Sequence, residues 1–273
     1  MKRASWSLGD PFLLLALALY AVPFFWQLLT SFKPESELLR LPPLLPSHLT
    51  LEHYQVVLAK STLARSLLNS FGIALITTGL ALALGLPAAY ALARLPVAGR
   101  RALLLGIVGC TAFPQIATVS PLYLLMRTLG LRDTWTALVI AHTSFALPLT
   151  IWLLAGFIRE IPFALEESAA VDGADTVSLL RWVIGPLVAP GAASAALLAF
   201  LFSWNEFLFA YTFTATEASR TVPVALALFP GVFEVPWGDI AAASMLASVP
   251  TLIVVVALQR YLIEGLVAGA VKE

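Results

Sequence analysis

The hydrophobic positions of this chain collect into long stretches that no charged residue interrupts. Cutting the 273-residue sequence at every charged residue gives six uncharged runs of 22, 28, 25, 25, 24 and 20 residues, and the next longest run has 13. A helix needs about 20 apolar residues to cross a hydrocarbon core of about 30 Å. The six runs also lack the strict alternation of an outer-membrane strand. The pattern therefore predicts an all-α, polytopic membrane protein with six transmembrane helices.

The predicted helices form a single transmembrane domain that covers residues 1–273. Composition agrees with this class, because 60% of the residues are hydrophobic and 12% are charged, about half the charged share of a soluble domain. Sixteen basic residues balance sixteen acidic ones, which leaves no basic surface for nucleic acid. The helices are predicted at residues 12–31, 67–93, 102–126, 135–158, 187–213 and 240–258.

Basic residues in the connecting segments predict the orientation. One side of the membrane carries Lys2, Arg3, Arg94, Arg100, Arg101, Arg159, Arg181, Arg260 and Lys272. The other side carries Lys33, Arg40, Lys60, Arg65, Arg127, Arg132 and Arg220. Four of these seven lie in one long loop, and without it the count is nine against three. We therefore expect both termini in the cytoplasm.

The segment 159–186, between the fourth and fifth predicted helices, is held outside the bilayer by its charges. Pro162 suits the first turn of a helix, and Gly173 is a typical helix stop. Asp175 or Thr176 can cap a second short helix. The segment is therefore predicted to form a helix, a tight turn and a second helix on the cytoplasmic side.

Small residues recur on one face of the first of these two helices. Glu166, Ala169, Ala170 and Gly173 stand at i, i+3, i+4 and i+7 and share that face. A face of small residues edged by carboxylates allows the surface of another protein to approach the backbone. Packing of the loop on its own bundle explains the same pattern, and the residues alone leave both interpretations open.

The same segment carries a longer pattern. Residues 167–174 read Glu-Ser-Ala-Ala-Val-Asp-Gly-Ala, and residues 183–186 read Val-Ile-Gly-Pro. This pattern resembles the EAA loop of ABC importer permeases, with Ser168 where the motif has alanine. Further stretches resemble the maltose and trehalose type of carbohydrate importer: residues 31–34, 69–70, 88–94, 204–207 and 259–272.

The resemblance implies a type I ABC importer permease fold in a bacterial cytoplasmic (inner) membrane. The loop would then be a coupling helix that docks in a cleft of a separate ATPase subunit. The implied partners are a second, homologous permease in a heterodimer, two ATPase subunits that bind ATP and Mg, and an extracytoplasmic sugar-binding protein that contacts residues 213–239. The implied cargo is a sugar, a di- or oligosaccharide such as maltose or trehalose. The docking positions are Glu166, Glu167, Ala169, Ala170, Asp172, Gly173 and Ala174.

Motifs for catalysis are missing from the sequence. None of the four lysines follows a glycine, so there is no phosphate-binding loop that ends in Gly-Lys-Ser or Gly-Lys-Thr. No Gly-x-Ser nucleophile turn and no His-Glu-x-x-His metal pair occurs. We therefore expect a transporter subunit without catalytic or metal-binding residues and without a cofactor of its own.

Glu206 is an ionisable residue within a predicted span, which makes it a functional candidate. Trp204 and Asn205 precede it, and this combination suits a sugar, because carboxylate and amide groups bond hydroxyls while an aromatic face packs against the ring. The alternative is that Glu206 caps an internal hydrogen-bond network.

Other polar residues lie in the spans. Pro114 and Pro121 bend the third predicted helix, and the polar stripe beside them can line a translocation path or bond between helices. Asn69, in the second helix, is a candidate of the same kind, whereas His142 is expected to bond a neighbouring hydroxyl. The stripe consists of Thr111, Gln115, Thr118 and Ser120. The candidate substrate path is therefore Asn69, Gln115, Trp204, Asn205 and Glu206.

A second class of protein stays open, namely an ATP-independent secondary carrier or channel for a small polar solute. Such a carrier would show relays of intramembrane carboxylates or histidines and repeated half-structures. The sequence has one intramembrane carboxylate and no clear internal repeat.

Overall fold

The computed structural model describes residues 9–38, 44–60, 62–229 and 235–270, and the regular elements in these ranges are helical. Lys2, Arg3, Arg40 and Lys272, which entered the orientation prediction, lie outside the described residues, as do residues 230–234 of the segment 213–239. The helices are α1 (Gly9–Ser31), α2 (Glu35–Leu38), α3 (Glu52–Lys60), α4 (Leu63–Arg94), α5 (Arg100–Thr111), α6 (Gln115–Thr128), α7 (Trp135–Glu160), α8 (Phe163–Val171), α9 (Thr176–Ser178), a π-helical turn (Leu179–Ile184), α10 (Gly185–Leu187), α11 (Ala189–Asn205), α12 (Leu208–Phe213), α13 (Val222–Ala227) and α14 (Trp237–Ala270).

Within the described residues, four helical stretches are long and apolar enough to cross a membrane unaided: Pro11–Ser31, Leu63–Arg94, Trp135–Glu160 and Trp237–Tyr261. Two bent pairs pass the same test together. Helices α5 and α6 meet at 88°, and Thr176–Leu187 meets α11 at 82°. The predicted all-helical membrane fold is confirmed, and the number of spans is six when each bent pair counts as one.

The third predicted helix is divided at a proline. Pro114 has an extended ψ of 122° and stands immediately before α6. Proline has no N–H to donate, and its ring clashes with the carbonyl one turn earlier, so a helix breaks there. Pro121, in contrast, stays inside α6. The predicted bend is therefore present at Pro114, and Gln115 opens the helix that follows it.

The fifth predicted helix, 187–213, is also divided, so its prediction as one continuous helix is wrong. Helix α11 ends at Asn205, and α12 begins at Leu208. Glu206 between them is extended, with a ψ of 126°. Apolar character continues through the break, which is why hydropathy alone does not reveal it.

The chain divides into two compact units. One comprises Met1–Ala64 and Leu226–Ser248, and the other comprises Arg65–Ala225 and Val249–Glu273. Helices α4 and α14 each continue from one unit into the other. The assignment of one permease domain to residues 1–273 stays a prediction.

The smaller unit is organised around His53, which is buried. Its Nδ1 lies 2.7 Å from Asp239 Oδ1, and its Nε2 lies 2.9 Å from the carbonyl oxygen of Lys33. The imidazole ring occupies the space above Gly238, where a Cβ atom would lie 2.2 Å from the ring. Ser31 Oγ and Tyr54 Oη are 2.8 Å apart and add a second polar contact. The stretch 31–34 is therefore held by side-chain contacts.

The larger unit is built around α7. Its amino-terminal half supplies Leu138 to an apolar cluster with Ile73, Phe209 and Phe213. Its carboxy-terminal half supplies buried residues to a second apolar cluster with α4 and the π-helical turn. Leu138, Leu154 and Ile158 of α7 are fully buried. Helix α7 therefore packs in both apolar clusters of the larger unit.

Candidate functional site

The loop after α7 has the predicted helix, turn and helix. Pro162 precedes the first residue of α8, and Gly173 ends the turn after α8 with a φ of +83°, a left-handed conformation that favours glycine. The Ala174 N–H donates to the Ala169 carbonyl at 2.9 Å and closes the helix end. Asp175 caps α9 by accepting from the Ser178 N–H at 2.9 Å. Hydrogen bonding to Ser178 lowers the pKa of the Asp175 carboxyl.

Glu166 of α8 points into the bundle. Arg94, the last residue of α4, donates from Nε to Glu166 Oε1 at 2.5 Å, and Tyr90 donates its hydroxyl to Oε2 at 3.0 Å. Arg94 also donates from Nη2 to the Ile161 carbonyl at 2.5 Å. The Glu166 side chain is 5% exposed and the Arg94 side chain 13%. The pair is therefore a buried tether between α8 and the end of α4.

The predicted docking face needs a correction at Glu166, because its carboxylate is buried against Arg94 and is removed from the surface. Ala169 and Ala174 are half-buried. The other four predicted positions, Glu167, Ala170, Asp172 and Gly173, are exposed. On the small-residue face, Glu166 is packed inward and Ala169 is half-buried, whereas Ala170 and Gly173 are exposed. Packing on the bundle and an outward surface are therefore both present on this helix.

The loop also exposes large apolar side chains, which sequence reasoning did not single out. Val171 is 87% exposed, and Val177 and Trp182 are each 69% exposed. Arg181 lies over the Trp182 ring, 4.8 Å from its centroid. The available signal was the presence of large apolar residues in a charged loop too short to span a membrane.

Glu206 lies in a closed polar network. Its Oε1 accepts from the Phe209 N–H at 2.8 Å, and its Oε2 accepts from the Ala210 N–H at 3.0 Å. His142 Nε2 lies 3.1 Å from the same Oε2, and His142 Nδ1 lies 2.7 Å from Ser203 Oγ. A neutral imidazole satisfies both partners by donating from Nε2 and accepting at Nδ1. Glu206 thus caps the first turn of α12, which explains the break before it.

The side chains that precede Glu206 have contacts of their own. Trp204 is buried and stacks on Phe200 with the ring centroids 5.7 Å apart. Asn205 is exposed and donates to the Leu201 carbonyl at 2.8 Å. In the described part of the chain, no hydrogen bond joins Glu206 to either Asn69 or Asn205. Trp204, Asn205 and Glu206 thus contact different partners.

Asn69 anchors the loop 214–221 that follows α12. Its Nδ2 donates to the Glu217 carbonyl at 3.1 Å and to the Arg220 carbonyl at 2.9 Å. Its Oδ1 accepts from Trp135 Nε1 at 3.2 Å. All three polar contacts hold backbone or the neighbouring helix. Asn69 therefore connects the backbone of this loop to α4 and α7.

Asp133 holds the same loop from the turn before α7. Its carboxylate accepts from the Ala215 and Thr216 N–H groups at 2.8 and 3.1 Å and from the Thr216 and Ser219 hydroxyls at 2.7 and 2.5 Å. Partial desolvation favours a higher pKa, but these hydrogen bonds outweigh it and lower the pKa of Asp133 to about 2. The loop is therefore pinned by a carboxylate that is ionised at neutral pH.

A polar-edged cleft of about 400 Å³ lies between α6 and α12. Ser120 of the predicted stripe is exposed and lines it, whereas Gln115 is half-buried at the start of α6. Thr111 and Thr118 donate to carbonyls of their own helices. The cleft is lined by Val119, Ser120, Tyr123, Leu124 and Thr212.

Fold and site together define a helical membrane protein with a structured loop after α7. Residues 81–267 match the family described as the binding-protein-dependent transport system inner membrane component. The chain belongs to this family. It is a permease subunit of an ABC importer, a transporter component and not an enzyme.

Individual relatives cover nearly the whole chain. The trehalose transport system permease protein SugB of Mycobacterium tuberculosis is 43% identical, over 99% of this chain and 98% of that protein. The trehalose/maltose transport system permease protein MalG of Thermococcus litoralis is 39% identical, over 92% of this chain and 91% of that protein. A solved bacterial ABC transporter involved in the import of the acidic polysaccharide alginate has a TM-score of 0.77 at 22% identity, over 95% of this chain and 99% of that chain.

Removal of the Glu166 side chain should lower the free energy of unfolding much more than removal of the exposed Glu167 side chain. We expect Glu166→Ala to lower the free energy of unfolding by about 3 kcal/mol, because the loss of one partner leaves the Arg94 charge uncompensated. Equilibrium unfolding in mixed micelles measures the change. Glu167→Ala is the matched control and should stay within about 0.5 kcal/mol of the unchanged protein. Equal losses in the two variants would contradict the tether.

The hydrogen bonds between Asp133 and the loop 214–221 should weaken at acidic pH. A depressed folded pKa stabilises the folded loop above the unfolded pKa, near 3.8, and this stabilisation disappears as the pH falls towards about 2. At neutral pH, Asp133→Asn should speed hydrogen exchange at the Ala215 and Thr216 amides. Glu217→Gln, an exposed change in the same loop, should leave both rates unchanged. Unaltered exchange in Asp133→Asn would refute the anchoring role.

Proposed function

We propose that this chain translocates a sugar, of the size of a disaccharide or short oligosaccharide such as trehalose or maltose, into the cytoplasm. The energy comes from ATP hydrolysis in two separate ATPase subunits, which hold the ATP and Mg. A second, homologous permease completes the membrane pathway, and an extracytoplasmic binding protein delivers the sugar. Both termini lie in the cytoplasm in this arrangement.

The observation that carries the proposal is the two-sided construction of α8. On its inner side, Glu166 is tied to Arg94 and Tyr90 at the end of α4. On its outer side, the loop exposes Val171 and the backbone at Gly173. A rigid helix with an apolar, small-residue surface suits insertion into a groove of another protein. The ATPase subunit is the proposed occupant.

The tether gives the proposal a mechanical link. Movement of α8 with the ATPase changes the position of the Glu166 carboxylate, which is bonded to Arg94 by a direct ion pair. Arg94 ends α4, a helix of 32 residues that reaches across the membrane. Closure of the ATPase dimer would therefore act on α4 directly and favour one access state of the permease over the other.

The proposed substrate class is supported by the relatives and by one surface. The two relatives described above carry trehalose, or trehalose and maltose, in their names. The cleft between α6 and α12 is lined by Ser120, Thr212 and Tyr123. The Thr212 hydroxyl donates to the Leu208 carbonyl at 2.8 Å, so it can accept a hydrogen bond from a sugar hydroxyl. Hydroxyl groups and an aromatic face are suited to a neutral sugar. We therefore shift the proposed path from Glu206 and Asn69 to this cleft.

The binding protein is proposed to contact the segment 213–239 on the outer side. The part of this segment from 214 to 221 is held by Asp133 and Asn69. Such a loop presents its surface in a fixed shape, which lowers the entropy cost of binding a partner.

A buried His142–Glu206 pair is the observation that favours the alternative, an ATP-independent carrier, since such pairs occur in proton relays. Both carboxylate oxygens of Glu206, however, accept backbone N–H bonds at the start of α12. In this geometry Glu206 caps the start of α12, which is a structural role. The carrier alternative therefore ranks second.

The docking proposal is tested by placing a charge on the exposed apolar surface of α8. Val171→Asp should lower both binding-protein-stimulated ATPase activity and uptake of labelled trehalose about tenfold, because an apolar contact in an interface is replaced by a buried charge. The measurement uses the whole complex in proteoliposomes. Val171 is 87% exposed, so the variant is expected to fold.

Leu129→Asp is the matched control. Leu129 is an exposed apolar residue of the turn between α6 and α7, away from the α8 loop. We expect it to retain ATPase activity and uptake within about twofold. Full activity of Val171→Asp in an assembled complex would exclude the proposed docking surface.

A further inference from the structure

A cleft of about 490 Å³ lies between α5 and α7, at the end of the bundle where the α8 loop begins. Three arginines stand at its rim. Arg100 and Arg101 are the first two residues of α5, and Arg159 is the penultimate residue of α7. All three side chains are exposed. The cleft is separate from the Arg94–Glu166 tether and from the cleft between α6 and α12.

The charges at this rim are unbalanced. Among the described side chains, no carboxylate forms a salt bridge with any of the three arginines. Two of the arginines occupy the first turn of α5, where the helix dipole is positive and cations are disfavoured. No side chain caps that turn within the described residues. An anion at the rim would be favoured both by the arginines and by the dipole.

The walls of the cleft are apolar. Leu104, Leu105 and Val108 line it from α5, and Trp152 lines it from α7. Leu105 is 74% exposed and Trp152 is 51% exposed. At a rise of about 1.5 Å per residue, Val108 lies roughly 12 Å further along α5 than Arg100, and Trp152 roughly 10 Å back along α7 from Arg159. Both helices thus place arginines at the rim of the cleft and apolar side chains further along its walls.

We propose that this cleft binds an anionic phospholipid. Its headgroup phosphate lies among Arg100, Arg101 and Arg159, and an acyl chain lies along Leu105 and Trp152. The arginines match a phosphate, and basic clefts between transmembrane helices suit anionic headgroups. A soluble phosphate would leave the apolar wall uncovered, whereas a lipid covers both parts.

The test measures quenching of Trp152 by brominated lipids in the intact complex. The complex is reconstituted in phosphatidylcholine that contains either brominated phosphatidylglycerol or brominated phosphatidylcholine. The difference in quenching between the unchanged protein and Trp152→Phe isolates the contribution of Trp152. We expect this difference to be larger with brominated phosphatidylglycerol. Arg100→Gln/Arg159→Gln should weaken the preference roughly fivefold for each arginine removed.

Two controls separate the cleft from general electrostatics. Arg181→Gln removes an exposed cation at the same end of the chain's bundle, and Arg65→Gln/Arg127→Gln removes two exposed cations elsewhere. Both should keep the preference for phosphatidylglycerol. Equal quenching by the two brominated lipids, or an unchanged preference in Arg100→Gln/Arg159→Gln, would overturn the proposal.

Two further outcomes would assign the cleft to another occupant. Loss of the phosphatidylglycerol preference on addition of inorganic phosphate would indicate a simple anion site and would overturn the lipid proposal. Loss of the second permease from Arg100→Gln/Arg159→Gln, with lipid quenching unchanged, would indicate a protein interface and would overturn it as well. Native mass spectrometry of the same samples reports the subunits.

Discussion

The burial of Glu166 is the constraint on which the account of this permease depends. A carboxylate with 5% exposure is expensive to remove from water unless a cation and hydrogen-bond donors meet it. Arg94 and Tyr90 supply both, and they can do so only when α8 lies against the end of α4. The position of a loop outside the spans is therefore set by a charge pair and not by apolar packing alone. An apolar contact can slide, whereas a carboxylate whose two oxygens accept from two different side chains has one register.

The same logic applies to the breaks within the larger unit. Where α11 ends, Glu206 accepts from two backbone N–H groups and from His142, so the polar groups freed by the break are satisfied internally. At the turn before α7, Asp133 accepts four hydrogen bonds from the loop after α12. Glu206 and Asp133 thus hold backbone segments in place. The surfaces proposed for the cargo and for the ATPase subunit are the cleft between α6 and α12 and the exposed part of α8.

Much of this architecture follows from local sequence signals. The uncharged runs give the spans, and Pro162, Gly173 and Asp175 give the helices of the loop, because each acts within its own turn. The bend at Pro114 is predicted for the same reason. The inward direction of Glu166 is different, since its partner Arg94 lies 72 residues away and helical periodicity of α8 alone cannot name it. The break at Glu206 is not evident from hydropathy, because apolar residues continue on both sides of this single carboxylate.

The claim that α8 is the contact with an ATPase subunit is tested most directly by photo-crosslinking in the intact complex. A benzoylphenylalanine residue replaces Val171, which is exposed at the end of α8, or Leu129, which is exposed in the turn before α7. We expect a crosslinked product between position 171 and the ATP-binding subunit, identified by mass spectrometry, and none from position 129. A complex that is active but gives no such product from position 171, or gives it equally from both positions, would contradict the account.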